Sequence, residues 1–94
     1  MYKELNPLLH SQLRLAIISL LASVSEAEFN YIKEKTKATS GNISVQLDKL
    51  KSAGYITVQK SFRDNYPLTT CKITIKGRAA FEQYVQDLKT YLNL

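Results

Sequence analysis

The hydrophobic pattern changes period at Gly54, and this limits the folds open to the chain more than any other feature. Upstream, apolar residues recur every three or four positions, the spacing of helices that bury one face. Downstream they alternate, as in half-buried strands. The first upstream segment opens at Asn6-Pro7, where Asn can cap free amides and Pro at the first helical position gives up no hydrogen bond. From Leu8 to Val24, eleven of seventeen positions are apolar, too many for a single face. Leu9, Leu13, Ile17 and Leu21 form one stripe, while Leu8, Leu15 and Ile18 fall outside it. This helix wants cover from more than one side, leaving part of it for a second chain. Ser25 to Phe29 reads as a polar connection with Phe29 as its anchor. A short helix over 30–37 and a turn at Ala38-Thr39 lead to a third helix. Ser40 would cap it, and Gly54 would stop it, just past Ala53, in the left-handed conformation. Two helices joined by a short turn outline a helix-turn-helix.

Beyond Gly54, Ile56 and Val58 share one side of a strand over 55–61, and Cys71, Ile73 and Ile75 share one side of a strand over 70–75. The turn-rich Phe62-Arg63-Asp64-Asn65-Tyr66-Pro67 between them makes a two-stranded hairpin. Gly77 reads as a turn residue. A last helix over 76–92 carries a stripe of Phe81, Tyr84, Val85, Leu88, Tyr91 and Leu92. The predicted class is α+β and mainly helical, with a three-helix core, a two-stranded hairpin and a C-terminal helix in one domain over 1–94.

The charge is uneven. Residues 33–78 hold ten basic and three acidic side chains, whereas both ends are slightly acidic. A basic middle between acidic ends points to a polyanion-facing surface. Within it, Ile43, Leu47 and Leu50 make the buried face of the third helix, opposite Gly41, Val45, Asp48, Lys49 and Ser52. Ser40, Gly41, Asn42 and Ser44 crowd its amino end. Solvated helix faces favour long charged residues of high helix propensity. A helix entering a major groove wants the reverse: short donors and acceptors that let the backbone approach, an Asn to pair with adenine, and a methyl to touch thymine. Ser40 and Asn42 also serve as capping residues in a reading without DNA. Near the hairpin tip, Lys60 and Arg63 suit a phosphate backbone or a minor groove, and Tyr66 or Thr70 suit phosphate. Lys33, Lys35 and Lys37 fit a solvated face as well as they fit phosphate. Asp48 is at odds with its neighbours, since it repels phosphate unless it pairs with Lys or accepts from cytosine N4.

This order of elements resembles the winged-helix DNA-binding domains of bacterial and archaeal transcription regulators, and most of all the short MarR-like group. The residues that carry the resemblance run from Leu13 to Leu21, Phe29 to Lys33, Thr39 to Leu50 with Ala53-Gly54-Tyr55-Ile56, and Pro67 to Thr70 with Ile73 to Arg78. The resemblance implies a repressor that binds double-stranded operator DNA as a homodimer. Ser40, Asn42, Ser44 and Val45 would meet the DNA, with Lys49 and Arg63 on backbone. The terminal helices would pair two copies, through Leu8, Leu9 and Leu15 and the Phe81–Leu92 stripe. In a symmetric dimer the two third helices stand about one DNA turn apart, roughly 34–36 Å. Longer relatives surround an effector pocket with additional helices for which 94 residues leave little room. No effector is assigned.

Other chemistries find little support. His10 and Cys71 stand on separate elements, short of the three or four convergent ligands of a metal site. Cys71 reads as a small buried apolar residue. The three glycines form no phosphate loop, and no base accompanies Ser40, so neither cofactor nor catalysis is expected. No apolar run approaches a membrane span, and the amino end lacks the order of an export signal. One cysteine fits a reducing compartment, so a cytoplasmic location is expected. The rival functional reading is a winged-helix module that holds another protein instead of DNA.

Overall fold

A computed structural model describes residues 1–94. The elements in chain order are α1 (Gln12–Val24), β1 (Glu26–Glu28), α2 (Phe29–Thr36), α3 (Ser40–Ser52), β2 (Ile56–Arg63), β3 (Tyr66–Ile73) and α4 (Ile75–Leu92). The three strands form one antiparallel sheet in the order β1-β3-β2. The helical content and the hairpin agree with the sequence; β1 is an addition to it.

The amino end differs from expectation. Asn6 does cap: its Oδ1 accepts from the Leu8 and Leu9 amides, and its carbonyl accepts from His10. That turn stands alone, however. Ser11 is extended (φ −149°), and α1 begins only at Gln12. The break persists because the Leu8 carbonyl is taken by Arg14 Nε at 2.6 Å instead of by a helical amide. Once formed, α1 is buried on two sides, with Ile17, Ile18 and Leu21 all fully inaccessible. Cover for Ile18 comes from within the same chain.

β1 occupies what reads as a polar connection. Ala27 faces Cys71 and is buried, while Glu26 and Glu28 lie opposite Lys72 and Thr70. From α2 the chain turns through Lys37 in the left-handed region into α3. Thr39, not Ser40, is the cap of α3. Its Oγ1 accepts from the Asn42 amide at 3.2 Å, which makes Ser40 the first helical residue. Ile43, Leu47 and Leu50 are buried as expected. The stop is also as expected. Gly54 has φ +79°, its amide donates to Lys51 and the Tyr55 amide to Leu50, the paired bonds of a Schellman ending.

The hairpin is longer than its alternation suggests. Only Asp64 and Asn65 form the turn, both left-handed (φ 52° and 70°), the geometry of a two-residue hairpin loop. Phe62, Arg63, Tyr66 and Pro67 belong to strands, with Phe62 opposite Pro67 and Arg63 opposite Tyr66. Proline is tolerated because β1 covers β3 only at Thr70–Lys72, which leaves Pro67 on a free edge.

β3 ends at Ile73. Thr74 caps α4, accepting from the Gly77 amide at 2.9 Å and donating its hydroxyl to the Gly54 carbonyl at 2.6 Å. Ile75 is therefore the first residue of α4 and points outward, rather than joining Cys71 and Ile73 on the inner face. Gly77 is a helical residue pressed against Tyr55, not a turn: a Cβ there would lie 2.0 Å from the Tyr55 carbonyl oxygen. The core runs from the sheet, through α1 and the inner faces of α2 and α3, to Tyr84 of α4.

Candidate nucleic-acid interface

Burying Ile43, Leu47 and Leu50 turns the opposite arc of α3 to solvent. Ser40, Gly41, Asn42, Ser44, Val45, Asp48 and Lys49 are all exposed. Val45 is half accessible with no other part of the chain over it. The arc rests on a rigid frame. Thr39 holds the Asn42 amide, and the Asn42 side chain accepts from Gln46 Nε2 at 3.0 Å. Gln46 in turn accepts from Arg14 of α1 at 2.6 Å.

The hairpin divides its candidate residues between two faces, because successive side chains of a strand point in opposite directions. Lys60, paired with Thr69, lies toward α3. With Ser44, Leu47, Asp48, Val58 and Phe29, these two line a cleft of about 200 Å³ between α3 and the sheet. Asp48 and Lys60 share that cleft without forming an ion pair.

Arg63, three residues on, turns the other way. Its Nη1 and Nη2 reach Glu28 Oε1 and Oε2 at 3.2 and 3.3 Å, the one ion pair of the molecule. Thr70 stands on the same face, opposite Glu28, and lines an open groove with Arg63, Val24 and Tyr31. Tyr66 is exposed beside the turn. The hairpin thus brings Lys60 to α3 and keeps Arg63, Tyr66 and Thr70 away from it. Strand parity carries this division; reading the tip as a loop hid it. The same parity puts Phe62, which is 76% exposed, on the Lys60 face, an aromatic that a loop assignment does not single out.

The surfaces expected to pair two copies are partly spent inside one. Leu9 and Tyr84 are 0% and 3% exposed and belong to the core, so neither has surface to offer a partner. The Tyr84 hydroxyl shares a 3.0 Å hydrogen bond with His10 Nδ1. Leu8, Leu15, Phe81, Val85 and Leu88 are half-buried, and Tyr91 and Leu92 are exposed. The first residues run along the end of α4: the Lys3 amide donates to Thr90 Oγ1, the Tyr91 hydroxyl donates to the Lys3 carbonyl, and Tyr2 stacks on Tyr91 at 5.0 Å. Cys71 is sealed in the core, where loss of hydration pushes its thiol up to about 11.

The family model described as winged helix DNA-binding domain matches residues 13–92, nearly the whole of this architecture. The chain belongs to that family. An uncharacterised protein of Methanocaldococcus jannaschii is 39% identical over 79 residues, covering 84% of this chain and 86% of that one. Among solved structures, a transcriptional regulator homologue from Pyrococcus horikoshii superposes with a TM-score of 0.86 at 26% identity, covering 92% of this chain and 85% of that one. The regulator BldR of Sulfolobus solfataricus gives 0.74 at 23% identity, covering 88% of this chain and 58% of its own. A cysteine-to-serine mutant of MarR from E. coli, solved with operator DNA, gives 0.73 at 19%, with the same coverage. This winged-helix chain therefore spans about three fifths of the length of those last two. It has the winged-helix fold of the MarR-like regulators, and the β2–β3 hairpin is its wing. No helix is long and apolar enough to cross a membrane.

Proposed function

We propose that this winged-helix chain is a sequence-specific DNA-binding transcriptional regulator, a repressor acting in the cytoplasm as a homodimer. Its α3 enters the major groove, and its wing meets backbone or minor groove. The observation that carries the reading is the uncovered arc of α3: short side chains at the amino end, Val45 half exposed, and Lys49 beyond. On this reading Asn42 and Ser44 meet base edges, Val45 meets a thymine methyl, and Ser40, Gly41 and Lys49 approach phosphate. Lys60 joins them from its side of the wing. Arg63, Tyr66 and Thr70 serve the flanking backbone from the other side. The MarR mutant held on operator DNA is a precedent for the fold. Two copies pair through Leu8, Leu15, Phe81, Val85, Leu88, Tyr91 and Leu92, which retain surface in one copy.

Selection of bound fragments from a random duplex library tests the reading, alongside light scattering on a sizing column. The expected result is an enriched inverted repeat bound by a dimer. No enrichment would overturn it in favour of a module that holds another protein, and a monomer at micromolar concentration would remove the symmetric arrangement.

A further inference from the structure

A chain of two hydrogen bonds runs from α1 to the outer arc of α3, and its direction is fixed at one end. Arg14 is half-buried, with Nε on the Leu8 carbonyl and Nη1 on Gln46 Oε1, both at 2.6 Å. A guanidinium only donates, so Gln46 must give Arg14 its carbonyl oxygen. The Gln46 amide nitrogen is then the atom left for Asn42, and it donates to Asn42 Oδ1 at 3.0 Å. Asn42 is the exposed end of the chain. Oδ1 already carries one bond along the helix, while Nδ2, a pair of donors, has no partner within the chain and is free to meet a base.

That polarity decides which base Asn42 can read. The usual two-bond pairing of asparagine with adenine needs both amide atoms, Oδ1 for N6–H and Nδ2 for N7. An amide whose oxygen is already engaged and whose donors are free is better matched to an edge of acceptors, and in the major groove guanine offers two side by side, O6 and N7. We infer that Gln46 and Arg14 are specificity-determining positioning residues, which hold the Asn42 amide donor-outward so that it selects guanine rather than adenine. This rests on the proposed DNA-reading role of α3. It replaces the adenine preference that the residue type alone suggests.

Gln46→Glu is the decisive variant. A carboxylate still accepts from Arg14 but has nothing to donate, so it accepts from Asn42 Nδ2 and turns Oδ1 outward. Fragment selection is run on the wild type, Asn42→Ala, Gln46→Glu and Gln46→Met, with thermal unfolding to verify that each variant folds. Asn42→Ala identifies the base position that depends on this residue. There the wild type is expected to favour guanine over adenine by roughly fivefold or more, the scale of a two-bond contact. Gln46→Glu is expected to move the preference to a base that donates, cytosine through N4 or adenine through N6. Gln46→Met is expected to flatten it while the other positions stay sharp. The same guanine preference in wild type and Gln46→Glu overturns the inference and leaves the proposed function standing, as does an adenine preference in the wild type or a position-independent effect of Asn42→Ala. If the wild type enriches no site, the proposed function fails and takes the inference with it.

Discussion

Replacing Gly77 with alanine puts a methyl where the Tyr55 carbonyl already stands. The added Cβ lies 2.0 Å from the carbonyl oxygen, 2.8 Å from its carbon and 2.9 Å from the Tyr55 Cα. Non-bonded carbon atoms sit comfortably about 3.5–4.0 Å apart, so the start of α4 has to withdraw by more than about 1 Å. No rotamer relieves the clash, since both sides are main chain. Withdrawal also strains the bonds that seat α4, from the Thr74 amide to the Tyr55 carbonyl at 3.0 Å and from the Thr74 hydroxyl to the Gly54 carbonyl at 2.6 Å. Overpacking costs about 1–3 kcal/mol and one weakened hydrogen bond about 1 kcal/mol, while alanine's better helix propensity returns about 1 kcal/mol. The expected net loss is about 2 kcal/mol. It should be read by urea unfolding at fixed protein concentration, because association would make stability concentration-dependent. With a slope of about 1–3 kcal/mol/M the midpoint should fall by roughly 0.7–2 M at unchanged slope, and Tm by about 8–16 °C. Gly41→Ala is the matched control. A Cβ there meets nothing within 4 Å, so the same chemical change should stabilise by up to about 1 kcal/mol. A Gly77→Ala protein as stable as its parent would refute the contact between α4 and Tyr55.

Three further outcomes are expected. Lys49→Ala should weaken binding to operator and random duplex alike, whereas Asn42→Ala should mainly erase discrimination between them, because one residue is assigned to phosphate and the other to a base edge; equal losses in titrations of both duplexes would remove the role of Asn42. Glu28→Gln should change stability by less than about 1 kcal/mol, since the pair is well exposed. By releasing Arg63 it should steepen the salt dependence of duplex binding by about one contact, and an unchanged slope would mean that Arg63 meets no phosphate. Finally, the folded chain keeps the Cys71 proton up to about pH 11, whereas the ordinary value is 9.0. The unfolded chain releases it first, so this thiol's contribution is intact below pH 9 and declines as pH rises from 9 to about 11. The pH profile of urea stability should therefore fall more steeply in the parent than in Cys71→Ala, and parallel profiles would contradict the burial of the thiol.

What the sequence makes legible follows how each element is held. The α3 helix has its own period in Ile43, Leu47 and Leu50 and its own stop in Gly54, so both were readable from local spacing. The strand β1 has three residues and no period; it exists because Ala27 has Cys71 to lie against. The outermost rungs of the hairpin lie beyond the core, where no burial imposes alternation on Phe62, Arg63, Tyr66 or Pro67, and so they resemble a loop. The start of α1 was hidden for a different reason. Asn6 carries a sound cap signal, but the Arg14 side chain folds back onto the Leu8 carbonyl, which would have continued the helix. At the candidate site, the residue types on α3 were visible in the sequence. The pairing of Arg63 with Glu28 and the link from Arg14 to Asn42 were not, because each joins elements far apart in the chain.

The short reach of β1 has a consequence for the history of such a chain. The third strand flanks the hairpin only at Thr70–Lys72, and the rungs from Arg63–Tyr66 to Lys60–Thr69 have a single neighbour each. Mutations that accumulate on those outer rungs disturb no packed interior, whereas those at Ile56–Ile73 or Val58–Cys71 strike the centre of the molecule. Descendants can therefore lengthen, recharge or blunt the tip and acquire new targets while the body that presents it is inherited intact.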